Sequence, residues 1–273
     1  MEDRVHVTIE DGVADVRLAR PSKLNALDAA MFEAIAEAGE RVRDKRDVRA
    51  VVLSGEGRGF CAGLDVERIA AIAEGESLLP FPDLTKRTHG LANFVQHIVW
   101  QWRELPVPVV AAVHGFAFGG GLQLALAADL RFVAPGTRFS VLETKWGLVP
   151  DMAGTHLMRH LAREDVVREL TYTGRMFSAE EALGFGFVTR LIDDPRVAAM
   201  TAAHEIASRN PDAIRAAKRL LNLATVGNAA TLLAAETAEQ ARLIGSTNQI
   251  EAVKAHFESR PPRFLDPRGD RKS

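Results

Sequence analysis

The sequence predicts an α/β fold in which strands alternate with helices, followed by an all-helical C-terminal part. Short, mainly apolar runs such as Val48–Leu53 and Val109–Val113 are typical of buried strands, and a glycine-rich stretch and then a helical pattern follow each of them. Beyond residue 195 no strand pattern occurs, and Ala-rich helices are predicted at about 196–208, 212–225, 230–244 and 248–258. We therefore expect a core over residues 1–195 and a helical region over residues 196–273.

The N-terminal elements are predicted to be a β-hairpin and a helix. Alternating apolar residues over 5–9 and 13–18 flank the dipeptide Asp11-Gly12, which is a strong hairpin signal. Asp28 directly precedes a stretch with helical spacing, and its carboxylate suits the N-cap of that helix. A further helix is predicted over Thr88–Leu105, where Pro106 ends the pattern.

Composition and charge exclude several classes of protein. The 273 residues carry a net charge of -2, so neither nucleic acid nor an anionic membrane is expected as a partner. Cys61 is the only cysteine, which fits a reducing compartment without disulfides. The N-terminus MEDRVHV is not typical of a signal peptide, and no apolar run reaches membrane-spanning length. We expect a soluble, cytoplasmic protein.

Two glycine-rich loops are the first candidates for a binding site. GEGRGFCAGLD (55–65) and HGFAFGGG (114–121) each follow a predicted buried strand and precede a helix. In open α/β sheets the ligand crevice lies at the carboxyl ends of the strands, and free backbone N–H groups there bind a negative oxygen. That oxygen could belong to a phosphate or to a developing oxyanion. GEGRG lacks the Lys-Ser/Thr of a P-loop and the spacing of a dinucleotide fingerprint, which disfavours a nucleotide phosphate.

Nucleophilic and metal chemistry find little support in the sequence. There is no G-x-S-x-G motif, and Cys61 has no recognisable His partner, so a small buried residue is the better interpretation. His156 and His160 are four residues apart, but the Glu of an H-E-x-x-H motif and a third ligand are missing. We therefore expect no metal site.

Two acids in the apolar stretch FSVLETKWGLVPDMAG are the candidates for proton transfer. Glu143 and Asp151 lie eight residues apart in this stretch. A carboxyl group in such surroundings can have a raised pKa and exchange protons near neutral pH. Glu143 could equally be a surface charge at the end of a strand.

Several motifs, taken in order, resemble the crotonase (enoyl-CoA hydratase/isomerase) superfamily over nearly the whole chain. They are RPSKLNALD, GFCAGLD, AAVHGFAFGGGLQLALAADLRFV, FSVLETKWGLVP and LTYTGRMFSAEEALGFGFVTRLI. The resemblance implies a spiral of ββα repeats with C-terminal helices that assemble trimers, often stacked as hexamers. It also implies an acyl-CoA thioester as substrate and no cofactor beyond its coenzyme A moiety. The segment GLVPDMAGT is most similar to dienoyl-CoA isomerases.

The resemblance assigns roles to individual residues. The N–H groups of Leu64 and Gly120 are expected to hold the thioester oxygen of an enolate, as an oxyanion hole. The segment 70–88 is expected to border the acyl pocket. The nucleotide and pantetheine of CoA are expected to lie along Lys23, Leu24, Ala26, Ala62, Asp65 and Val66.

Gln123 is the residue that departs from the family pattern. Hydratases of the family use two glutamates, and Gln123 stands where the first is expected, whereas Glu143 matches the second. An amide cannot take a proton from water at ordinary pH, so we expect an isomerase in which Glu143 and Asp151 transfer protons. The alternatives are a hydratase, another crotonase reaction, or an acyl-CoA-binding homologue with reduced catalysis.

Overall fold

A six-stranded sheet organises the part of the chain that the computed structural model describes, which is residues 4–65, 67, 69–70, 74–75 and 83–267. The strand order is β1-β2-β3-β4-β6-β9. Only β1 and β2 pair antiparallel, as the hairpin predicted around Asp11-Gly12, and the other neighbours are parallel. The strands are β1 Val5–Glu10, β2 Val13–Leu18, β3 Ala50–Gly55, β4 Val109–Val113, β6 Leu130–Val133 and β9 Arg190–Leu191.

A second, three-stranded sheet lies beside the first, and the sequence patterns did not predict it. Its strands are β5 Phe116–Phe118, β7 Arg138–Ser140 and β8 Met176–Ser178. Each strand has only three residues, which is too short for an alternating pattern to stand out. This sheet bears on the candidate site because β5 lies within the second glycine-rich loop and leads into its glycines at 119–121.

The six-stranded sheet is covered on both faces, which explains its continuous apolar strands. Along β3, Val51 and Leu53 belong to the large core cluster, whereas Ala50 and Val52 belong to a smaller cluster on the opposite face. The same alternation continues along β4. These central strands therefore pack apolar side chains on both faces, which leaves their carboxyl ends as the place for a site.

Six helices of the described core follow the strands along the chain, and three of them have a side-chain N-cap, from Asp28, Asn93 and Ser178. They are α1 Ala29–Arg43, α2 Phe94–Glu104, α3 Gly120–Leu126, α4 Gly154–Met158, α5 Glu164–Thr173 and α6 Ala179–Phe185. Asp28 caps α1 as predicted, since its carboxylate accepts from the N–H of Met31. The predicted start of α2 at Thr88 is wrong. Asn93 forms a capping box with Gln96, and the chain before it turns back through a bridge between His89 and Ala92.

The C-terminal helices match their predicted positions to within one residue. They are α7 Pro195–Ala207, α8 Pro211–Ala224, α9 Ala229–Leu243 and α10 Thr247–Phe257. Helix α7 packs Ala199, Ala203 and Ala207 against the smaller core cluster of the sheet. The division of the chain at residue 195 and the assembly role of the later helices stay predictions. Among the residues described, no helix has the length and apolarity that a membrane span requires.

Candidate active site

The two glycine-rich loops lie side by side because several backbone contacts join them. Cys61 pairs with Ala117 of β5, and its carbonyl accepts from the N–H of Phe118 at 3.0 Å. On its other side, the first loop accepts at Gly63 from the N–H of Leu27 at 2.8 Å. The first loop is thus held between β5 and the segment that precedes α1, as expected for loops at neighbouring strand ends.

Gly63 brings the two candidate oxyanion donors together. Its φ is +83°, and a Cβ there would lie 2.6 Å from the carbonyl oxygen of Phe118 and 3.6 Å from the nitrogen of Gly120. Within the described residues, neither the N–H of Leu64 nor that of Gly120 donates to a protein acceptor. Gly120 is the first residue of α3, where an N–H has no partner inside the helix. The structure thus places two available N–H groups on adjoining loops.

The remaining glycines of the site allow close packing. A Cβ on Gly121 would lie 2.5 Å from the carbonyl oxygen of Cys61, and one on Gly120 would lie 2.7 Å from the sulfur of Met152. Helix α3 therefore approaches both the first loop and the turn before α4 more closely than side chains would permit. These close contacts fix the position of Gln123, which lies three residues after Gly120 on the same helix.

The side chain of Gln123 is buried, and its amide oxygen accepts two hydrogen bonds, the number that its two lone pairs allow. Oε1 accepts from the N–H of Met152 at 2.9 Å and from that of Gly154 at 2.8 Å. Backbone N–H groups can only donate, so their contacts identify the oxygen and leave Nε2 as the group facing Glu143. Nε2 donates to Oε1 of Glu143 at 2.5 Å. Gln123 is thus a locked donor to Glu143, with no lone pair left on its own oxygen.

Glu143 is a buried carboxyl group with one free oxygen. It opens a 3-10 turn over Glu143–Trp146 and is 9% exposed, so the possibility of a surface charge at a strand end is wrong. Oε2 is buried and has no hydrogen-bond partner in the described part of the chain. Burial raises the pKa of Glu143, and the nearby Asp151 raises it further, whereas the Gln123 amide opposes the shift. The group can therefore exchange a proton through Oε2.

Asp151 lies in the turn before α4, close enough to Glu143 to influence its ionisation. Burial raises the pKa of Asp151. The two acids that the sequence identified thus lie close enough for the charge of one to act on the other. Their roles in proton transfer stay predictions.

The described residues predicted along the CoA path lie on two adjoining segments, which form one continuous wall. Leu24 accepts from the N–H of Ala62 at 3.1 Å, and the segment 24–27 runs beside the segment 62–65. Ala26 is buried in this wall, and Lys23 lies exposed at its end, with Nζ 2.6 Å from Oε1 of Glu67. Val66 lies outside the described residues, as do 71–73 and 76–82 of the segment predicted to border the acyl pocket.

Asp65, the fifth member of this set, makes an internal ion pair. Its buried carboxylate accepts from the Arg20 guanidinium at 2.5 Å and from the N–H of Glu67 at 3.0 Å. The Arg20 side chain and the N–H of Glu67 hold the pKa of Asp65 below its usual value, against the effect of burial. These contacts stabilise the wall, and a direct contact between Asp65 and CoA stays a prediction.

Two residues that organise this wall were missed in the sequence analysis. Asn25 is fully buried, and its Nδ2 lies within hydrogen-bond distance of the carbonyl oxygens of Glu56, Gly59 and Phe60. Its Oδ1 accepts from the N–H of Arg20. Arg20 and Asn25 both belong to the motif RPSKLNALD. The left-handed backbone of Asn25, with a φ of +55°, is a conformation that Asn adopts more readily than most residues, but only the structure shows it.

Cys61 is buried, and burial raises the pKa of its thiol to about 12. A thiolate nucleophile is therefore disfavoured, and the interpretation as a small buried residue is confirmed. His156 and His160 contact each other through their rings at 5.1 Å, with burial lowering the pKa of each. No third metal-ligating side chain of the described chain joins them.

Comparison with known proteins gives a consistent result. The sequence model of the family described as enoyl-CoA hydratase/isomerase matches residues 8–267. A carnitinyl-CoA dehydratase of Salmonella enteritidis PT4 is 36% identical over 223 residues, which cover 81% of this chain and 80% of the relative. An enoyl-CoA hydratase structure from Mycobacterium marinum superimposes with a TM-score of 0.83 at 30% identity, covering 97% of this chain and 100% of that one. One from Bacillus anthracis gives 0.85 at 27% identity, with coverage of 97% and 100%.

These matches confirm the predicted α/β crotonase fold with its helical C-terminal region. The family match covers both glycine-rich loops, the two acids and most of the C-terminal helices. The chain therefore belongs to the enoyl-CoA hydratase/isomerase family, the crotonase superfamily.

Proposed function

We propose that the protein is an acyl-CoA double-bond isomerase that acts through a thioester enolate, with Glu143 carrying the proton. One observation carries the proposal: the oxygen of Gln123 is occupied by two backbone N–H groups, so Glu143 alone is left to exchange protons at this position. A shift of a double bond needs one group that takes a proton and returns it. The addition of water needs a second group that positions and deprotonates the water.

The arrangement accounts for each part of the reaction. Oε2 of Glu143 takes a proton from C2 of a 3-enoyl-CoA, and the electron pair of that C–H bond moves into the thioester as a dienolate. The N–H groups of Leu64 and Gly120 stabilise the negative oxygen, where one donor of an oxyanion hole is worth about 2.7–4 kcal/mol. The proton then passes from Glu143 to C4, and the double bond lies between C2 and C3.

Asp151 extends the proposal to longer conjugated substrates. In a 3,5-dienoyl-CoA, removal of a proton from C2 and delivery of one to C6 gives the 2,4-dienoyl product. A single carboxyl group does not reach both carbons easily, because four bonds separate them. A second, partly buried acid whose charge acts on Glu143 suits delivery at the far carbon, which supports Asp151 as the second proton-transfer group.

A second candidate is hydration of a 2-enoyl-CoA or dehydration of a 3-hydroxyacyl-CoA. The observation that favours it is the set of relatives, whose names are dehydratase and hydratase. In this reaction Glu143 would handle both the water and the C2 proton. Gln123 could then only donate a hydrogen bond to the water through its second amide hydrogen.

A direct comparison of substrates tests the two candidates. The purified protein is incubated separately with 3-enoyl-CoA, 3,5-dienoyl-CoA and 2-enoyl-CoA, and the products are separated by liquid chromatography and mass spectrometry. Isomerisation leaves the mass of the substrate unchanged, whereas hydration adds the mass of one water. We expect conjugated products without added mass, formed faster than any 3-hydroxyacyl-CoA.

Two variants make the result specific to the site. Glu143→Gln removes the proton-carrying group and should lower turnover by about 10²–10⁴-fold. The matched control is Glu205→Gln, which changes an exposed acid on α7 that pairs only with Arg209 in the described structure. Full activity in Glu143→Gln, or product with added water as the main species, contradicts the proposal. Binding of acyl-CoA without turnover on any of these substrates would indicate a homologue with reduced catalysis.

A further inference from the structure

Three potential metal ligands, none of them a residue of the candidate active site, meet where helix α1 lies beside helix α2. They are Glu40 on α1, His97 on α2 and His89 in the loop before α2, and their ligand atoms all lie within 4.8 Å of one another. No metal site was expected from the sequence, because His156 and His160, the histidine pair with metal-ligand spacing along the chain, have no third ligand nearby in the sequence. Here the third ligand comes from a helix about fifty residues earlier.

The close contact of α1 with α2 explains why Glu40 and His97 are neighbours. Gly39 precedes Glu40, and a Cβ there would lie 2.0 Å from the amide oxygen of Gln101. The Gln101 amide also donates to the carbonyl of Ile35 at 2.9 Å, which ties the two helices together. His97 lies one turn before Gln101 on the same face of α2, so it faces the turn of α1 that carries Glu40.

His97, one of the three residues of this cluster, has a ring nitrogen without a hydrogen-bond partner among the described residues. The residue is 7% exposed, and its Nε2 is buried without a hydrogen-bond partner in the described chain. A buried polar atom without a partner costs about 1–3 kcal/mol, so such an atom needs an explanation. Burial lowers the pKa of His97 to about 4, assisted by His89 and Arg43. The imidazole is therefore neutral at neutral pH, the form that binds metals.

We propose that Glu40, His89 and His97 bind one divalent transition-metal ion, of the class represented by Zn²⁺. Two imidazoles and one carboxylate are a ligand set that Zn²⁺ uses together with water. The rings of His89 and His97 are stacked, with centroids 4.0 Å apart and an angle of 15° between the planes. A metal ion lies in the plane of each imidazole that binds it, so the half-buried His89 ring turns out of the stack when the ion binds.

A positive charge close to the cluster affects how tightly the proposed site would bind Zn²⁺. Arg43 lies one turn after Glu40 on α1 and acts electrostatically on His97. Its positive charge opposes a bound cation. Removal of this charge with Arg43→Gln should therefore tighten the binding of Zn²⁺, which is the opposite of what loss of a ligand does.

Zn²⁺ binding to the full-length protein tests the proposal without any measurement of catalysis. Chelator-treated protein is titrated with Zn²⁺ in a calorimeter, and bound metal is counted after equilibrium dialysis. We expect one ion per chain. Because loss even of an outer-shell partner weakens metal sites by about 10–100-fold, Glu40→Gln and His89→Gln should each weaken binding at least that much. Both positions are accessible, so these variants keep the test valid if His97→Gln does not fold.

The control is the double variant His156→Gln/His160→Gln, which removes the other neighbouring pair of histidines. It should bind Zn²⁺ as the unchanged protein does. Binding that survives Glu40→Gln and His89→Gln but disappears in this control would overturn the proposal. So would protein that retains no Zn²⁺ on dialysis.

Discussion

Replacement of Gln123 by Glu tests whether the amide at this position is what allows Glu143 to ionise. In the present structure the Gln123 amide donates to Oε1 of Glu143 at 2.5 Å. A glutamate at residue 123 would keep the hydrogen bonds from Met152 and Gly154, because a carboxylate oxygen accepts as well as an amide oxygen. Its second oxygen, however, would replace a donor by an acceptor next to the Glu143 carboxylate. Two carboxylates so close share one proton, and one pKa of the pair rises strongly.

The size of this effect follows from the geometry. Two unit charges about 4 Å apart interact by about 4 kcal/mol at an effective dielectric constant of about 20, which corresponds to about three pKa units. Allowing for relaxation, we expect the upper pKa of the pair to exceed that of a normal glutamate by at least about two units, or about 2.7 kcal/mol. Because the upper pKa of the pair is raised in the folded state, the Gln123→Glu variant loses no stability from this effect below the pKa of an unfolded glutamate. The loss of stability grows as the pH rises from that value through the raised pKa of the folded state.

Urea unfolding at pH 5 and pH 8 measures this difference. Gln123→Glu should be destabilised by about 2–4 kcal/mol at pH 8 and clearly less at pH 5. The double variant Gln123→Glu/Glu143→Gln exchanges acceptor and donor and should recover most of the stability, while it stays inactive. A double variant no more stable than Gln123→Glu, or a loss of stability that does not depend on pH, would refute the reasoning.

Three other predictions concern the same site. Gly63→Ala should lower kcat/KM by about 100-fold, since a shift of the oxyanion donors by about 1 Å has that effect. The control Gly136→Ala, with a similar φ of +76° but open space around it, should change stability only. Steady-state kinetics and thermal unfolding of both variants check this, and equal losses of kcat/KM in the two would count against it. Asp151→Asn should lower turnover of 3,5-dienoyl-CoA by about 100-fold and that of 3-enoyl-CoA much less, which side-by-side assays would disprove if both fell together. In the unchanged protein, kcat/KM should fall towards acid pH with an apparent pKa above the ordinary glutamate value of 4.5, because Glu143 must be ionised to act and burial raises its pKa. A pH-rate profile that is flat down to pH 4.5 would exclude a raised pKa for the group that accepts the proton.

The parts of the fold that sequence patterns predicted are those with strong local signals. The Asp11-Gly12 hairpin, the Asp28 cap and the four C-terminal helices each depend on residues close together in the chain. The start of α2 was predicted too early because apolar spacing continues through the turn at His89, and only the capping box at Asn93 ends it. The second sheet was missed because its strands are short and pair over long distances.

The hydrogen bonds of the candidate site, unlike its candidate residues, could not be read from the sequence. Glu143, Asp151 and Gln123 stand out in the sequence, and the glycine-rich loops that adjoin them were identified as candidate anion sites. What the sequence does not contain is the orientation of the Gln123 amide. That orientation depends on Met152 and Gly154, about thirty residues later, whose N–H groups reach its oxygen through the turn before α4. The grouping of Glu40 with His89 and His97 likewise arises only when two helices pack.

The most direct test of the central claim is a crystal structure with a bound, non-reactive analogue of an acyl-CoA. The account predicts that the thioester oxygen accepts from the N–H groups of both Leu64 and Gly120. It also predicts that Oε2 of Glu143, the oxygen without a partner in the present structure, faces the α-carbon, while Gln123 keeps its bonds to Met152 and Gly154. A thioester oxygen bound elsewhere, or a Gln123 amide turned so that its oxygen faces the substrate, would contradict the account.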